Sequence, residues 1–470
     1  MVVPPELKRF VEDAPAAVMT RIAVDRMIEG TSIDLILDEV SEEQYNREFM
    51  LGHFVHVMSD VTCGFRESIR QAFLKRDLEQ VASISAFYRK LARMEPAVPA
   101  AVVRETALRA RELITAADGL KPEPVPGYVA RILDGNILTG TEHRITELRS
   151  TRSATLPGMS LAIYEPARGL VLDLILEENA HTQERALLDQ VVIESGQLWI
   201  MDRNFCVRRF LFRISRAGAF FLVRWHASAM PFEPIGRLRS VGRCDSGEIF
   251  EQDIWVDDPD REGCRFRLRR IVLRLDQPTR DGETEIILIT NLPDTVPPDL
   301  CCNAYKGRWQ IEGHFQQLTD LLHCEIPTLG YPRAALFAFA MSVVAGNGLA
   351  IVKGSLRAVH GDEMVNEISN HALVKEAADV YPGMMIAAPP PVWSFLGGCS
   401  LEQVAGLLTA LAANVRVDRM LRSKRGPKKK ATKKSSGSRM HHLATKKVLD
   451  ASRGNSKPGR NSRKRVQITT

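Results

Sequence analysis

The sequence predicts an α/β protein in which a mixed sheet carries packed helices. Three observations lead there. After residue 127, short aliphatic runs alternate with amphipathic segments in the order three strands, a helix, a strand and a helix. Residues 1–120 repeat apolar positions at helical spacing, and residues 219–290 read as strands divided by turn residues. The composition, 45% hydrophobic and 26% charged over 470 residues, is that of a globular chain of about three domains and excludes a collagen, a coiled coil or a wholly disordered protein.

Each element has its own signal. Leu78, Val81, Ala82, Ile84, Phe87, Leu91 and Ala92 recur at helical spacing and Val102–Ile114 continues the pattern, so residues 1–120 form a helical domain. The Pro/Gly-rich stretch Lys121–Gly127 is a linker. Tyr128–Leu133 is a short strand, ending at Asp134 before Gly135-Asn136. Ser160–Tyr164 and Leu170–Leu176, divided by Glu165–Gly169, make a hairpin. Thr182–Glu194 reads as a helix, Leu198–Met201 as a buried strand ending at Asp202, and Cys206–Ser215 as a second helix. The runs Phe220–Trp225, Ile249–Val256, Phe266–Leu275 and Glu285–Thr290 make residues 219–290 a β-rich insertion. Pro297-Pro298 introduces a helix from Asp299 to Leu322. Ala334–Val352 is almost wholly apolar, but Ser342, Asn347, Gly346 and Gly348 and the lack of a second span favour a buried core helix over a membrane crossing. Residues 361–420 continue as a helical C-terminal region.

The formal charge of +6 hides a split. Residues 421–470 hold 17 Lys and Arg against one acid, Asp450, a net of +16, which leaves −10 for residues 1–420. The basic stretch, with Lys428, Lys429 and Lys430 in one run, is too poor in large apolar residues to offset chain entropy and reads as disordered. Such a tail on an acidic body suits a polyanionic partner such as DNA, and its lack of aromatic rings argues against base-specific readout. The eight cysteines are scattered without C-x-x-C spacing, which excludes a zinc ribbon and a disulfide scaffold and fits a reducing, cytoplasmic compartment. The N-terminus lacks the apolar run of a signal peptide. No G-x-x-x-x-G-K-[ST] occurs, so nucleotide hydrolysis is not indicated.

The residues that could carry chemistry are few. Asp134 and Asp202 each follow a strand, and the carboxyl end of strands in such sheets is a common ligand site, although either residue alone suits a turn or a cap. At about 100° per residue, Tyr305, Arg308 and Glu312 share one helix face, beside an apolar stripe of Ile311, Phe315, Leu318 and Leu322. Two strand-end aspartates and a helical glutamate can hold hard divalent ions through oxygen ligands, and Arg308 can clamp a phosphate.

The blocks Ile132–Asn136 and Trp199–Cys206, with Tyr305, Arg308 and Glu312 as Y-x2-R-x3-E, resemble DDE transposases of the insertion-sequence-four family over about residues 20–360. The resemblance implies a ribonuclease-H-like core over 128–218 and 291–360 interrupted by the β-rich insertion, and a DNA-binding role for the helical domain. It implies that Asp134, Asp202 and Glu312 bind two Mg²⁺ or Mn²⁺ ions, and that Tyr305 and Arg308 orient phosphates. It also implies cleavage at transposon ends and strand transfer into target DNA by a homodimer, in the bacterial nucleoid and with no membrane. The family pattern continues to a Lys where this chain has Thr319, so two alternatives stand beside it: an inactive transposase-derived DNA-binding protein and a stand-alone metal-dependent nuclease.

Other residues read as structural. His53 and His56 lack acids at metal spacing; Glu184 could approach the site but better suits the first turn of a helix; and Cys301-Cys302 with His323-Cys324, a metal site on paper, read as core thiols. Trp225 and Trp255 lie in the β-rich stretch, where an aromatic side chain could hold a flipped base, with core packing as the default.

Overall fold

The computed structural model describes residues 3–423, apart from 29–31, 45, 139, 143, 150–152, 280–281 and 325, together with residues 442–452. It is a mixed α/β protein. The N-terminal part is helical: α1 (Lys8–Asp13), α2 (Pro15–Ile28), α3 (Ser32–Val40), α4 (Leu51–Thr62), α5 (Ile69–Lys75), α6 (Ile84–Leu91) and α7 (Ala97–Ala116). Ser68 and Ser83 cap α5 and α6 by accepting the backbone N–H of Gln71 and Ala86. The rings of Phe49, Phe54, Phe73 and Phe87 meet in their core, Phe54 and Phe87 stacked at 4.3 Å.

Nine strands build one sheet. They are β1 (Val129–Ile137), β3 (Met159–Glu165), β4 (Leu170–Glu177), β5 (Gln197–Met201), β6 (Phe220–Arg224), β7 (Glu233–Cys244), β8 (Gly247–Asp257), β9 (Arg265–Leu275) and β10 (Glu285–Thr290), with β2 (Thr155–Leu156) outside it. The order is β4-β3-β1-β5-β6-β10-β9-β8-β7. The first three strands pair antiparallel, β1, β5 and β6 pair parallel, and the rest are antiparallel. The hairpin read between residues 160 and 176 is present as β3 and β4, and its turn is closed by Gly169 at φ 72. The β-rich stretch does not stand apart: β6 and β10 hydrogen-bond to each other and β6 to β5, so all its strands extend the same sheet. At the far edge β7 is exposed along most of its length, its register slips twice, and Gly236 and Gly242 have positive φ.

Two helical expectations are corrected. Residues 182–194 hold only a 3-10 segment, Glu184–Gln190, because Val191-Val192-Ile193 is a β-branched run that resists helix. The stretch read as one helix is α9 (Pro298–Lys306) and α10 (Gln310–Leu321), joined by a 3-10 turn at Gly307–Trp309, where Gly307 weakens the ladder. Between them in the chain order lies α8 (Arg208–Arg216) before β6; it covers one face of the sheet with Phe210, Leu211, Phe212 and Ile214.

The other face is closed by α11 (Pro332–His360), packed against α2, α4, α7 and β4. It is the only helix among the described residues long and apolar enough to cross a membrane, and 94% of its most apolar window is buried inside the protein. Burying each of its Leu, Phe and Val side chains is worth about 1.5–3 kcal/mol, which is why an apolar helix suits this place. Asn347 on α11 binds both the N–H and the carbonyl of Val171, fixing α11 on β4. Then follow α12 (Asp362–Glu367), α13 (Asn370–Ala387) and α14 (Leu401–Ala412).

Part of the basic tail is folded, against the reading of it as disordered. Residues 443–452 form β11 (Leu443–Ala444), parallel to β2, and α15 (Thr445–Ser452). Leu449 and Val448 pack on Ile145 and Leu148, and Lys446 pairs with Glu178 at 3.5 Å. These few apolar side chains offset the ordering that composition alone would not. Lys428, Lys429 and Lys430 lie outside the described residues.

Candidate active site

The parallel ladder between β1 and β5 ends at Leu133 opposite Met201. The next residues are Asp134 and Asp202, so the two acids follow neighbouring strands whose backbones run about 4.8 Å apart. Asp202 ends β5 and caps the 3-10 turn Arg203–Phe205, its Oδ1 accepting the Asn204 N–H at 2.8 Å. Asp134 does not end its strand. β3 continues to pair with Gly135 and Asn136, and this ladder outweighs the turn tendency of that dipeptide.

Arg308 sits over this edge from the 3-10 turn. Its Nη1 donates to Asp134 Oδ2 at 3.0 Å and its Nη2 to Glu312 Oε1 at 2.8 Å. Glu312 lies in the first turn of α10, where a negative charge is favoured, and is 55% exposed. Burial pushes the Asp134 carboxyl up to about 6; Arg308 pulls it back, and the charges of Asp202 and Glu312 push it further up. The charges of Asp202 and Glu312 thus both reach Asp134. Tyr305, half-buried beside Arg308, has its phenol raised by burial, against the pull of Arg308 and Arg224. The structure therefore brings Asp134, Asp202, Tyr305, Arg308 and Glu312 together. Arg308 faces inward and spends both terminal nitrogens on carboxylates.

A fourth acid, Glu184, belongs to the same site. Its Oε2 accepts from Asn204 Nδ2, and burial and Asp202 raise its pKa against that bond. A Cβ on Gly135 would lie 1.9 Å from Glu184 Oε1, so the glycine next to Asp134 makes room for this carboxylate. Reading Glu184 as a first-turn acid missed this; the glycine after Asp134 was the available signal.

The remaining residues lie elsewhere or do structural work. Thr319 hydrogen-bonds back to the Phe315 carbonyl at 3.2 Å and receives Cys324 Sγ, supplying no cation. His53 accepts the Met50 N–H, and burial drives His56 down to about 3. Cys301 and Cys302 are buried thiols pushed up to about 11 and about 12 by that burial. Trp225 donates to the Met230 carbonyl at 2.8 Å, and Arg265 lies over the Trp255 ring.

Among the described residues no three His, Cys, Asp or Glu side chains close into a metal cage, since Arg308 holds the place between Asp134 and Glu312. The donors nevertheless fit a hard divalent cation in kind: they are carboxylates, and Asp134, raised first by burial and further by Asp202 and Glu312, gains from added positive charge.

Residues 126–342, a little under half of the chain, match the family model described as the transposase DDE domain. Asp134, Asp202, Arg308 and Glu312 all fall inside this segment, and the match supports a transposase DDE domain there. No curated protein matches the chain. Among solved structures, it is similar to the piggyBac transposase synaptic complex with hairpin DNA, at 10% sequence identity over 90% of this chain and 89% of that one, with a TM-score of 0.41.

Proposed function

We propose that this protein is a DNA transposase of the insertion-sequence-four type, cutting at transposon ends and joining the freed 3′-ends to target DNA. The observation that carries the reading is that Arg308 binds both Asp134 and Glu312 while Asp202 follows the strand beside Asp134, all within the segment that matches the DDE domain. The strand order β4-β3-β1-β5-β6, antiparallel then parallel, supports a ribonuclease-H-like core with the acids at its carboxyl edge.

Asp134, Asp202 and Glu312 would hold two Mg²⁺ or Mn²⁺ ions. Such ions, when bound, activate a water or a 3′-hydroxyl and stabilise the leaving oxygen of an in-line phosphoryl displacement. The chain's own residues position this chemistry. Arg308 fixes the Asp134 and Glu312 carboxylates, and Tyr305 packs against Arg308. The Asp202 cap fixes Asn204, which orients Glu184. Positioning and charge neutralisation then supply the catalysis without a covalent enzyme intermediate. Double-stranded DNA, a homodimer on paired ends and a nucleoid location complete the reading. Lys428–Lys430 would add salt-sensitive backbone contacts.

Thr319, tied to the α10 backbone, favours one rival: a DNA-binding protein that no longer cuts. Labelled DNA carrying the flanks of the coding region, with Mg²⁺ or Mn²⁺ and a supercoiled target, separates the readings. Cutting and joining by the wild type, lost in Asp134→Ala with binding retained, supports the transposase. Binding without cutting in either metal establishes the rival, and cutting without joining establishes a nuclease.

A further inference from the structure

Behind the catalytic helix lies a second recess. Gln310, His314, Gln317 and Leu321 line it, and at about 100° per residue they lie roughly 140–200° round α10 from Glu312, on the opposite face. The recess has a volume of about 420 Å³, in the range of small-ligand sites, and is partly enclosed. Its other walls come from distant parts of the chain: the linker after α7, the β3–β4 turn, α11 and the end of the C-terminal region.

The walls are strongly cationic. Lys121, Arg168, Lys353, Arg357 and Arg422 line the recess against a single carboxylate, Asp362. Asp362 is already bound by Arg357 at 2.7 Å, and Arg168 is paired with Glu165. Among the described residues, the ammonium groups of Lys121 and Lys353 make no hydrogen bond or ion pair and feel Asp362 only through its charge. Burial pushes Lys353 down to about 8, and Lys121, Arg422 and Arg357 push the same way. Deeper in, His314 is 8% exposed and its Nε2 meets no partner. Buried polar atoms and clustered cations are both costly unless something completes them.

We propose that this recess is a binding site for a small phosphate-bearing anion, held by Lys121, Lys353 and Arg422 with His314 at its floor. A phosphate supplies negative charge and several acceptor oxygens at once, which answers both the unpaired ammonium groups and the orphaned imidazole nitrogen. The site is separate from the carboxylate edge and does not depend on the transposase reading. Because α10 forms its wall, an occupant would brace the helix that carries Glu312.

The test uses the full chain, free of DNA and divalent metal, titrated with inorganic pyrophosphate by calorimetry and thermal melting, with chloride matched for ionic strength. Saturable binding that raises the melting temperature is expected, unchanged in Asp134→Ala. It should weaken about tenfold or more in Lys353→Met and in Arg422→Gln. Lys353→Met should melt no lower than wild type without ligand, because it removes a half-buried cation set among other cations; Arg422→Gln, on the surface, serves if Lys353→Met fails to fold. No saturable binding, or binding indifferent to both substitutions, overturns the proposal. So does binding through Lys353 of a 5′-phosphorylated oligonucleotide but not of pyrophosphate, which would make the recess a DNA contact.

Discussion

Replacing Asp134 by Asn isolates the electrostatic cost of placing this carboxylate where it is. Burial and the neighbouring acids raise its pKa from 3.8 to about 6, and its side chain is only 16% exposed. That is about two units, or about 3 kcal/mol at about 1.4 kcal/mol per unit. The sign follows from proton linkage. The folded chain holds this proton more tightly than the unfolded chain, so the protonated side chain's contribution is complete below about pH 4 and is lost as pH rises through about 6. Asparagine keeps the neutral shape at every pH and can still accept from Arg308. Urea unfolding with a chelator present should therefore show wild type losing about 3 kcal/mol more than Asp134→Asn between about pH 4 and pH 8, leaving the variant the more stable protein at neutral pH. Equal pH profiles would refute the argument, because they would mean that Asp134 is not held against its charge.

Other substitutions probe the same physics. Glu165 is fully buried among Arg111, Arg131 and Arg168, so Glu165→Ala should cost about 3–5 kcal/mol in thermal or urea melts; a loss under about 1 kcal/mol would show the arginines re-solvated. Gly135→Ala should displace the Glu184 carboxylate and lower DNA cutting by roughly 10²-fold with little change in melting temperature, and unchanged cutting would remove Glu184 from the site. In Arg308→Gln the Asp134 and Glu312 carboxylates lose their shared cation, so Mg²⁺ should raise the melting temperature more than in wild type, and an equal response would separate metal binding from these acids. Leu449→Asp should release residues 443–452 from Ile145 and Leu148, read as faster limited proteolysis after the first turns of that segment, and unaltered digestion would mean the docking does not depend on this contact.

What the sequence conveyed was local. Aliphatic runs such as Leu198–Met201 and the hairpin around Gly169 are visible because burial on both faces and a turn glycine leave a short-range trace. The mixed α/β class follows from the alternation of such runs with helical periods. Long-range effects were out of reach. Gly135-Asn136 looks like a turn until β3 is laid beside it. Glu184 reaches the site through Asn204, and Arg308 turns inward to serve two carboxylates, which no spacing rule reveals. The cationic recess draws its charges from residues 121 to 422, so only folding assembles it. Residues 443–452 sit in a basic stretch whose average hides the two apolar side chains that anchor it.

The two borders of the nine-stranded sheet bear on how copies of this chain can associate. A bare, flat border strand is a template on which further copies polymerise. Here one border, β4, lies under α7 and α11. The other, β7, is twice kinked, broken by two glycines and lined with Arg237, Arg239 and Arg243. The β7 border therefore offers no clean row of backbone donors and acceptors. Self-association by strand addition at this border is thereby discouraged.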